Sequence, residues 1–290
     1  MTDFIIRTMS RDELNWAIDM AANEGWNPGL HDADSFYSQD PDGYLIGLLG
    51  DKIIGCISAV SYEGTFGFIG FYIIHPDYRG KGYGIQLWKA AMKRLEGHLI
   101  GLDGVFEQQD NYRKSDFTFQ YSNIRFEHRN TRNIENIGTV FPETGSRVIN
   151  PIGTEDISSI TAYEHNMFPT KRRNFLTHWL NMPDSFTFAM RKDENICGYG
   201  VIRPCRTGYK IGPLFADSYE VADLIFQRLC SEVETNTQIY IDVPEVNEHA
   251  MGLASSYGME KVFGTARMYT GEAPQLGLDK IFGVTTFELG

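Results

Sequence analysis

A chain of 290 residues is long for one hydrophobic core and comfortable for two, and 42% hydrophobic with 22% charged residues is ordinary for a soluble globular protein. Its 26 basic and 38 acidic side chains leave a net charge of −12, which repels phosphate backbones and argues against nucleic acid as a partner. No stretch approaches the roughly 20 apolar residues that span a bilayer, the N-terminus lacks a signal-peptide core, and the four cysteines make no CxxC pair, so the expectation is a cytoplasmic protein without membrane, zinc or dithiol chemistry.

Phe4-Ile5-Ile6-Arg7 reads as a short opening strand. Ser10 followed by Arg11-Asp12-Glu13 is a capping box, and Leu14, Ile18 and Ala21 give the helix behind it an apolar side. Gly25-Trp26-Asn27-Pro28-Gly29 breaks that helix, and a polar, acidic loop is expected through Asp34. Residues 44–49 and 53–62 read as a hairpin turning at Gly50-Asp51-Lys52, and residues 66–74 as the next strand, ended by Pro76. A glycine-rich loop then leads into a helix over 85–95 with an apolar stripe of Leu87, Trp88, Ala91 and Leu95. A strand over 100–105, a short helix over 107–114 and an extended segment over 117–126 complete this half.

Residues 130–146 are polar and rich in Asn, Thr and Gly, and are read as a linker. The remainder repeats the first half. Asp51-Lys52-Ile53-Ile54-Gly55-Cys56 parallels Glu194-Asn195-Ile196-Cys197-Gly198-Tyr199, residues 211–216 parallel the strand ending at Ile74, residues 221–233 the helix after the loop, and residues 239–243 the strand ending at Val105. The expected organisation is therefore a domain over 1–129, a linker over 130–146 and a second domain over 147–290.

The chemistry lies in Arg79-Gly80-Lys81-Gly82-Tyr83-Gly84, between a strand and a helix. Glycines let backbone N–H groups converge, the helix N-terminus adds partial positive charge, and Arg79 and Lys81 add full charges, which together suit a diphosphate. A Walker loop would require Gly-Lys-Ser/Thr and a dinucleotide fingerprint GxGxxG; neither spacing is present.

Arg79-x-x-Gly82-x-Gly84, after a strand ending in His75-Pro76 and before an amphipathic helix, resembles motif A of the GNAT superfamily of acetyltransferases. The resemblance covers residues 4–127; beyond residue 147 it is one of element order, together with the ending Ile281-Phe282-Gly283-Val284-Thr285-Thr286-Phe287-Glu288-Leu289, similar to two-domain GNAT proteins. It implies an α/β fold of two tandem GNAT-like domains, each a mixed, mostly antiparallel sheet flanked by helices, with acetyl-CoA on the loop 79–84. It implies transfer of an acetyl group to a primary amine of a small molecule or amino acid by direct attack. A GNAT-fold acyl-CoA sensor without turnover and a purely structural protein remain the alternatives.

The same resemblance implies an oxyanion-stabilising backbone N–H within residues 71–74, with Ile73 and Ile74 nearest the loop. It implies a proton donor to the leaving thiolate at Tyr112, five residues before Phe117, with Asp116 where the family usually has glycine. A general base stays open: residues 66–71 hold no acid, and Glu24, His31, Asp32, Glu63 and Glu107 are candidates by rough location. Trp26, Asn27 and His31 are expected near the acceptor, and no metal is expected. In the second half, Phe215-Ala216-Asp217-Ser218-Tyr219-Glu220 replaces the glycine loop without glycine, Arg or Lys, and Ala254 stands where Tyr112 would be. That half is expected not to hold coenzyme in the usual way but to pack against the first and shape the acceptor pocket, the alternatives being that it binds a second ligand or only stabilises the fold.

Overall fold

The computed structural model describes residues 3–131 and 147–290, so most of the expected linker lies outside the described residues. The first half contains β1 (Phe4–Thr8), α1 (Arg11–Asn23), α2 (Asp32–Gln39), β2 (Tyr44–Leu49), β3 (Lys52–Tyr62), β4 (Phe66–Ile74), α3 (Tyr83–Arg94), β5 (Leu99–Val105), α4 (Gln109–Arg113) and β6 (Thr118–Arg129). The second contains β7 (Arg147–Pro151), α5 (Ile157–Tyr163), α6 (Arg173–Trp179), β8 (Phe186–Lys192), β9 (Asn195–Pro204), β10 (Tyr209–Ala216), α7 (Tyr219–Cys230), β11 (Gln238–Pro244), α8 (Glu248–Ser256), β12 (Glu260–Tyr269) and β13 (Ile281–Gly283).

Local chemistry sets many of these boundaries. Ser10 accepts from the Glu13 amide at 3.3 Å while the Glu13 carboxylate accepts from the Ser10 amide at 2.8 Å, so the capping box starts α1. The turns at Gly50-Asp51 and Asp193-Glu194 use residues with positive φ and close equivalent hairpins in the two halves. The acidic stretch after Trp26 is not loop throughout. It opens α2, where Asp32 and Asp34 occupy the first turn and complement the positive end of the helix while Phe36 enters the core.

All strands join one mixed, mainly antiparallel sheet, in the order β1-β2-β3-β4-β5-β12-β6-β11-β10-β9-β8-β7, with β13 added on β10. The order shows an exchange. The last strand of the first half, β6, pairs with β11 of the second, and the last long strand of the second half, β12, pairs with β5 of the first. The two exchanged strands pair with each other at the centre. Each is clamped to its host by a buried cross-strand ion pair. Arg125 on β6 faces Asp242 on β11, with contacts of 2.6 and 2.8 Å, and Arg267 on β12 faces Asp103 on β5, with contacts of 2.9 and 2.6 Å.

The largest core covers the helical side where the halves meet. Trp179 stacks on Phe175 and Phe36 with centroids 4.9 and 6.1 Å apart, and the Arg203 guanidinium lies 4.4 Å above its ring.

The tail behind β12 binds both halves together. β13 adds to β10, and Val284 donates to the Asp242 carbonyl of β11 at 2.8 Å. Parallel pairing of β10 with β11 extends only over 209–211, so the tail fills the space where these strands diverge. It continues across the sheet, held by Arg172 on Thr285 Oγ1 at 2.7 Å and by the Tyr62 hydroxyl on the Leu289 carbonyl at 2.9 Å.

Candidate active site

In the first half the corresponding divergence stays open. β4 and β5 pair in parallel from Phe66↔Leu99 to Ile69↔Leu102 and then part. A bulge against β3 sits just beyond, where Phe71 takes φ 45 within the strand. A non-glycine residue there costs about 1–3 kcal/mol, and the bulge bends β4 away from β5. A cleft of about 550 Å³ results, walled by β4, β5, the loop and start of α3, Trp26 and four residues of the second half.

At one wall the chain leaves β4 through a single 3-10 turn at Pro76–Tyr78 and enters α3 through the glycine loop. Gly80 and Gly82 take φ 73 and 83, conformations that side chains oppose, and a Cβ on either would meet nothing within 4 Å. Among the described residues, the amides of residues 80–84 have no backbone acceptor. The α3 N-terminus carries no side-chain cap and no acid in its first turn, whereas α1 is capped by Ser10 and α7 by Ser218. Free amides, a positive helix end and open space above the glycines fit the diphosphate of acetyl-CoA.

Of the residues expected at the coenzyme, Ile73, Ile74, Arg79, Gly80, Gly82 and Gly84 line the cleft. Arg79 donates to the Ile74 carbonyl at 2.8 Å and pairs with Glu24, which ties the end of α1 to the loop. The side chains of Lys81 and Tyr83 are not on the cleft wall. Lys81 donates to the Asp77 carbonyl at 2.7 Å and lies 5.3 Å from the Tyr78 ring centroid, and Tyr83 packs on Phe4 at 4.8 Å. What these two residues present to the cleft is backbone.

Tyr112 lines the same cleft. Its ring lies 5.5 Å from Trp88, which is in turn 5.4 Å from Tyr72. Burial, with Tyr72 beside it, pushes the Tyr112 hydroxyl up to about 12, so it carries its proton throughout the physiological range. Asp116 takes φ 64, the left-handed conformation that a glycine supplies easily and that Asp tolerates, so the turn closes and Phe117 donates back to the Tyr112 carbonyl at 3.3 Å.

The expected acceptor residues do not stay together. Trp26 lines the cleft. Asn27 does not: with φ 49 it turns to the second half, bonding the Thr207 carbonyl and amide at 3.0 and 2.9 Å. His31 also lies elsewhere, 3.1 Å from Asp184 in a separate surface groove beside Arg11 and Asp34, because the chain turns into α2 directly after it. Among the candidate bases, Glu24 is held by Arg79, and Asp32 is buried between the Gly29 amide and Arg203, both at 2.8 Å. Glu63 and Glu107 are exposed and off the cleft wall.

Four wall residues were not anticipated: Phe263 and Thr265 from β12, and Phe287 and Glu288 from the tail. The Arg125 guanidinium joins the two phenylalanines to Trp26, donating to the Trp26 carbonyl at 2.5 Å and lying 5.6 and 5.0 Å from the rings of Phe263 and Phe287. They reach the first half's cleft only through the strand exchange and the tail.

Among the described residues, the corresponding divergence in the second half is filled by the tail. β13 lies against β10, Ser218 caps α7 by accepting from the Val221 amide at 3.4 Å, and Glu220 is in the first turn. Among the described residues, no group of three or more His, Cys, Asp or Glu side chains could hold a metal ion, and no helix is long and apolar enough to cross a membrane.

Both halves of the chain are similar to known proteins. Residues 11–115 match the acetyltransferase (GNAT) family and residues 160–283 match an acetyltransferase (GNAT) domain. The chain is 28% identical to a holothin acyltransferase of Pseudoalteromonas sp. (strain SANK 73390) over 281 residues, 97% of this chain and 92% of that protein. In fold it is similar to a putative acetyltransferase from Pyrococcus horikoshii, with a TM-score of 0.80 at 21% identity over 100% of this chain and 97% of the other. It is also similar to a tandem GNAT protein from the clavulanic acid biosynthesis pathway, with a TM-score of 0.63 at 11% identity over 93% and 100% of the two chains. With GNAT matches in both halves, the chain belongs to the GNAT superfamily as a tandem acyltransferase.

Proposed function

We propose that the first domain transfers an acetyl group from acetyl-CoA to a primary amine of a small molecule or amino acid. The observation that carries this reading is one cleft with an uncapped amide cradle at the α3 N-terminus and the Tyr112 side chain both on its wall. Acetyl-CoA, when bound, supplies the thioester carbonyl that the amine attacks. The amides of Gly80, Gly82 and Gly84 hold the diphosphate, with Arg79 as the nearby full charge. Among the described residues, β4 pairs with β5 only as far as Ile69, so those amides of residues 71–74 that do not point to β3 offer donors for the oxyanion. Tyr112 keeps its proton until the thiolate leaves and then donates it.

The acceptor enters beside Trp26, Phe263 and Phe287, so the second domain's role is to wall this pocket rather than to bind coenzyme. The division at 1–129 and 147–290 then separates a coenzyme-binding domain from a pocket-forming one, joined through 130–146. The net charge of −12 favours approach of a cationic amine. The relative named a holothin acyltransferase makes holothin one acceptor to include in an assay.

The test is release of CoA thiol from acetyl-CoA with a panel of primary amines. Tyr112→Phe is expected to lower kcat by about 10²-fold or more while the calorimetric affinity for acetyl-CoA stays near wild type. Unchanged kcat in that variant would remove Tyr112 from the mechanism.

A further inference from the structure

β4 offers no carboxylate to the cleft, and the tail brings one in. A Cβ on Gly70, next to the Phe71 bulge, would overlap the backbone of Glu288, so glycine there is what lets the tail lie against β4. A Cβ on Gly212 of β10 would overlap the Val284 and Thr285 carbonyls in the same way, so the tail crosses each domain at a glycine of the same strand in the repeat. Thr286 Oγ1 then accepts from the amides of Glu288 and Leu289 at 3.1 and 3.0 Å and fixes the turn that presents Glu288. Glu288 is 3% exposed and lines the cleft.

The charged groups around it are engaged with other partners. Arg125 of β6 is paired with Asp242 of β11, and Arg203 of β9 with Asp32 of α2. Lys210 of β10 donates to the Asn27 carbonyl at 2.9 Å. Among the described residues, no cation stands within 4.0 Å of the Glu288 carboxylate. A buried carboxylate without a direct counter-ion, on the wall beside Trp26, Phe263 and Phe287, is placed to receive a proton from an acceptor held there.

We infer that Glu288 is the catalytic base, taking the proton from the acceptor amine as the amine attacks; the inference rests on the transferase reading above. The amine lone pair forms the C–N bond and the C–S bond breaks. One N–H proton passes to the Glu288 carboxylate, sulfur receives the Tyr112 proton, and Glu288 returns its proton to Tyr112 through solvent in the cleft. The products are the amide and CoA thiol, with both residues restored.

Burial pushes the Glu288 carboxyl above the usual carboxylate range. Lys210, Arg125 and Arg203 draw it down and Asp32 raises it. The base works deprotonated, so turnover rises with pH through this titration. Lys210 faces the same group and is itself lowered by burial, so the limb must be assigned by substitution.

The test compares wild type, Glu288→Gln and Glu288→Asp with acetyl-CoA and the best amine of the panel. Glu288→Gln is expected to bind acetyl-CoA like wild type by calorimetry, to lose about 10²–10⁴-fold in kcat, and to lose the acidic limb of the pH profile. Glu288→Asp is expected to recover part of the rate. In protein labelled with ¹³C-carboxyl glutamate, the resonance missing from Glu288→Gln is expected to titrate above the ordinary glutamate range, at the midpoint of that limb. An active wild type with an equally active Glu288→Gln, or a limb that does not follow this resonance, overturns the inference alone. A wild type that releases no thiol with any amine overturns the transferase reading and this inference with it.

Discussion

Replacing Gly82 with Trp is expected to leave a folded protein that no longer binds acetyl-CoA. Gly82 is the N-cap of α3 at φ 83, and a Cβ there meets no atom within 4 Å. The fold therefore loses only the cost of a side chain in the left-handed region, about 1–2 kcal/mol, against a typical domain stability of about 5–15 kcal/mol. The same open space is where the diphosphate must approach, and an indole would fill it. Hydrogen bonds to a charged group are worth about 1.5–3 kcal/mol each, so losing two weakens binding by about 10²–10⁴-fold. Calorimetry with acetyl-CoA, beside a thermal melt, measures both quantities. A folded G82W protein with wild-type affinity would contradict the cradle.

The second large effect concerns the strand exchange. Asp242→Ala is expected to lower stability by about 3–5 kcal/mol, because removing one partner of a buried pair leaves the other charge uncompensated. The Arg125–Asp242 contacts are 2.6 and 2.8 Å, both groups are buried, and Arg125 also holds the Trp26 carbonyl and lies over Phe263 and Phe287. Burial alone would raise the Asp242 carboxyl, but Arg125, with Lys210 and Arg203 nearby, outweighs it and holds the group below the usual range. Loss of the pair loosens β6 against β11 and one wall of the cleft together. Because β6 and β12 pair along nine positions at the centre of the sheet, both halves should unfold in one urea transition. A loss below about 1 kcal/mol, or two separate transitions, would contradict this account of the seam.

The parts that were legible in the sequence are local. The capping box at Ser10, the hairpins, the glycine loop and the spacing of Tyr112 from Phe117 each lie within a few residues, and the chemistry that forms them does not depend on distant partners. Helix α2 is not legible because Asp32-Ala33-Asp34-Ser35 resembles a loop until Arg203, 171 residues away, pairs with Asp32. The exchange was not readable either. β6 and β12 alternate suitably for a sheet whichever neighbours they take, and their hosts are chosen by Asp242 and Asp103, which look like isolated acids in the sequence. Nearness to Trp26 in the sequence suggests Asn27 and His31 for the acceptor, yet the positive φ of Asn27 and the start of α2 send them to other surfaces. Glu288 follows the last repeated element, so no counterpart in the first half pointed to it. Gly70 and Gly212 were the available clue, a pair of glycines at equivalent bulged strands where a third segment had to pass.

The proposal that the second domain holds no coenzyme has a physical basis in the same tail. β13 occupies the divergence of β10 from β11, and Ser218 caps the helix end that the first domain leaves bare. The stoichiometry of acetyl-CoA binding to the full chain therefore tests the central claim most directly. Calorimetry is expected to give one site per chain, abolished by Gly82→Trp and unaffected by Ser218→Ala. Two sites per chain, or one site that survives Gly82→Trp, would contradict it.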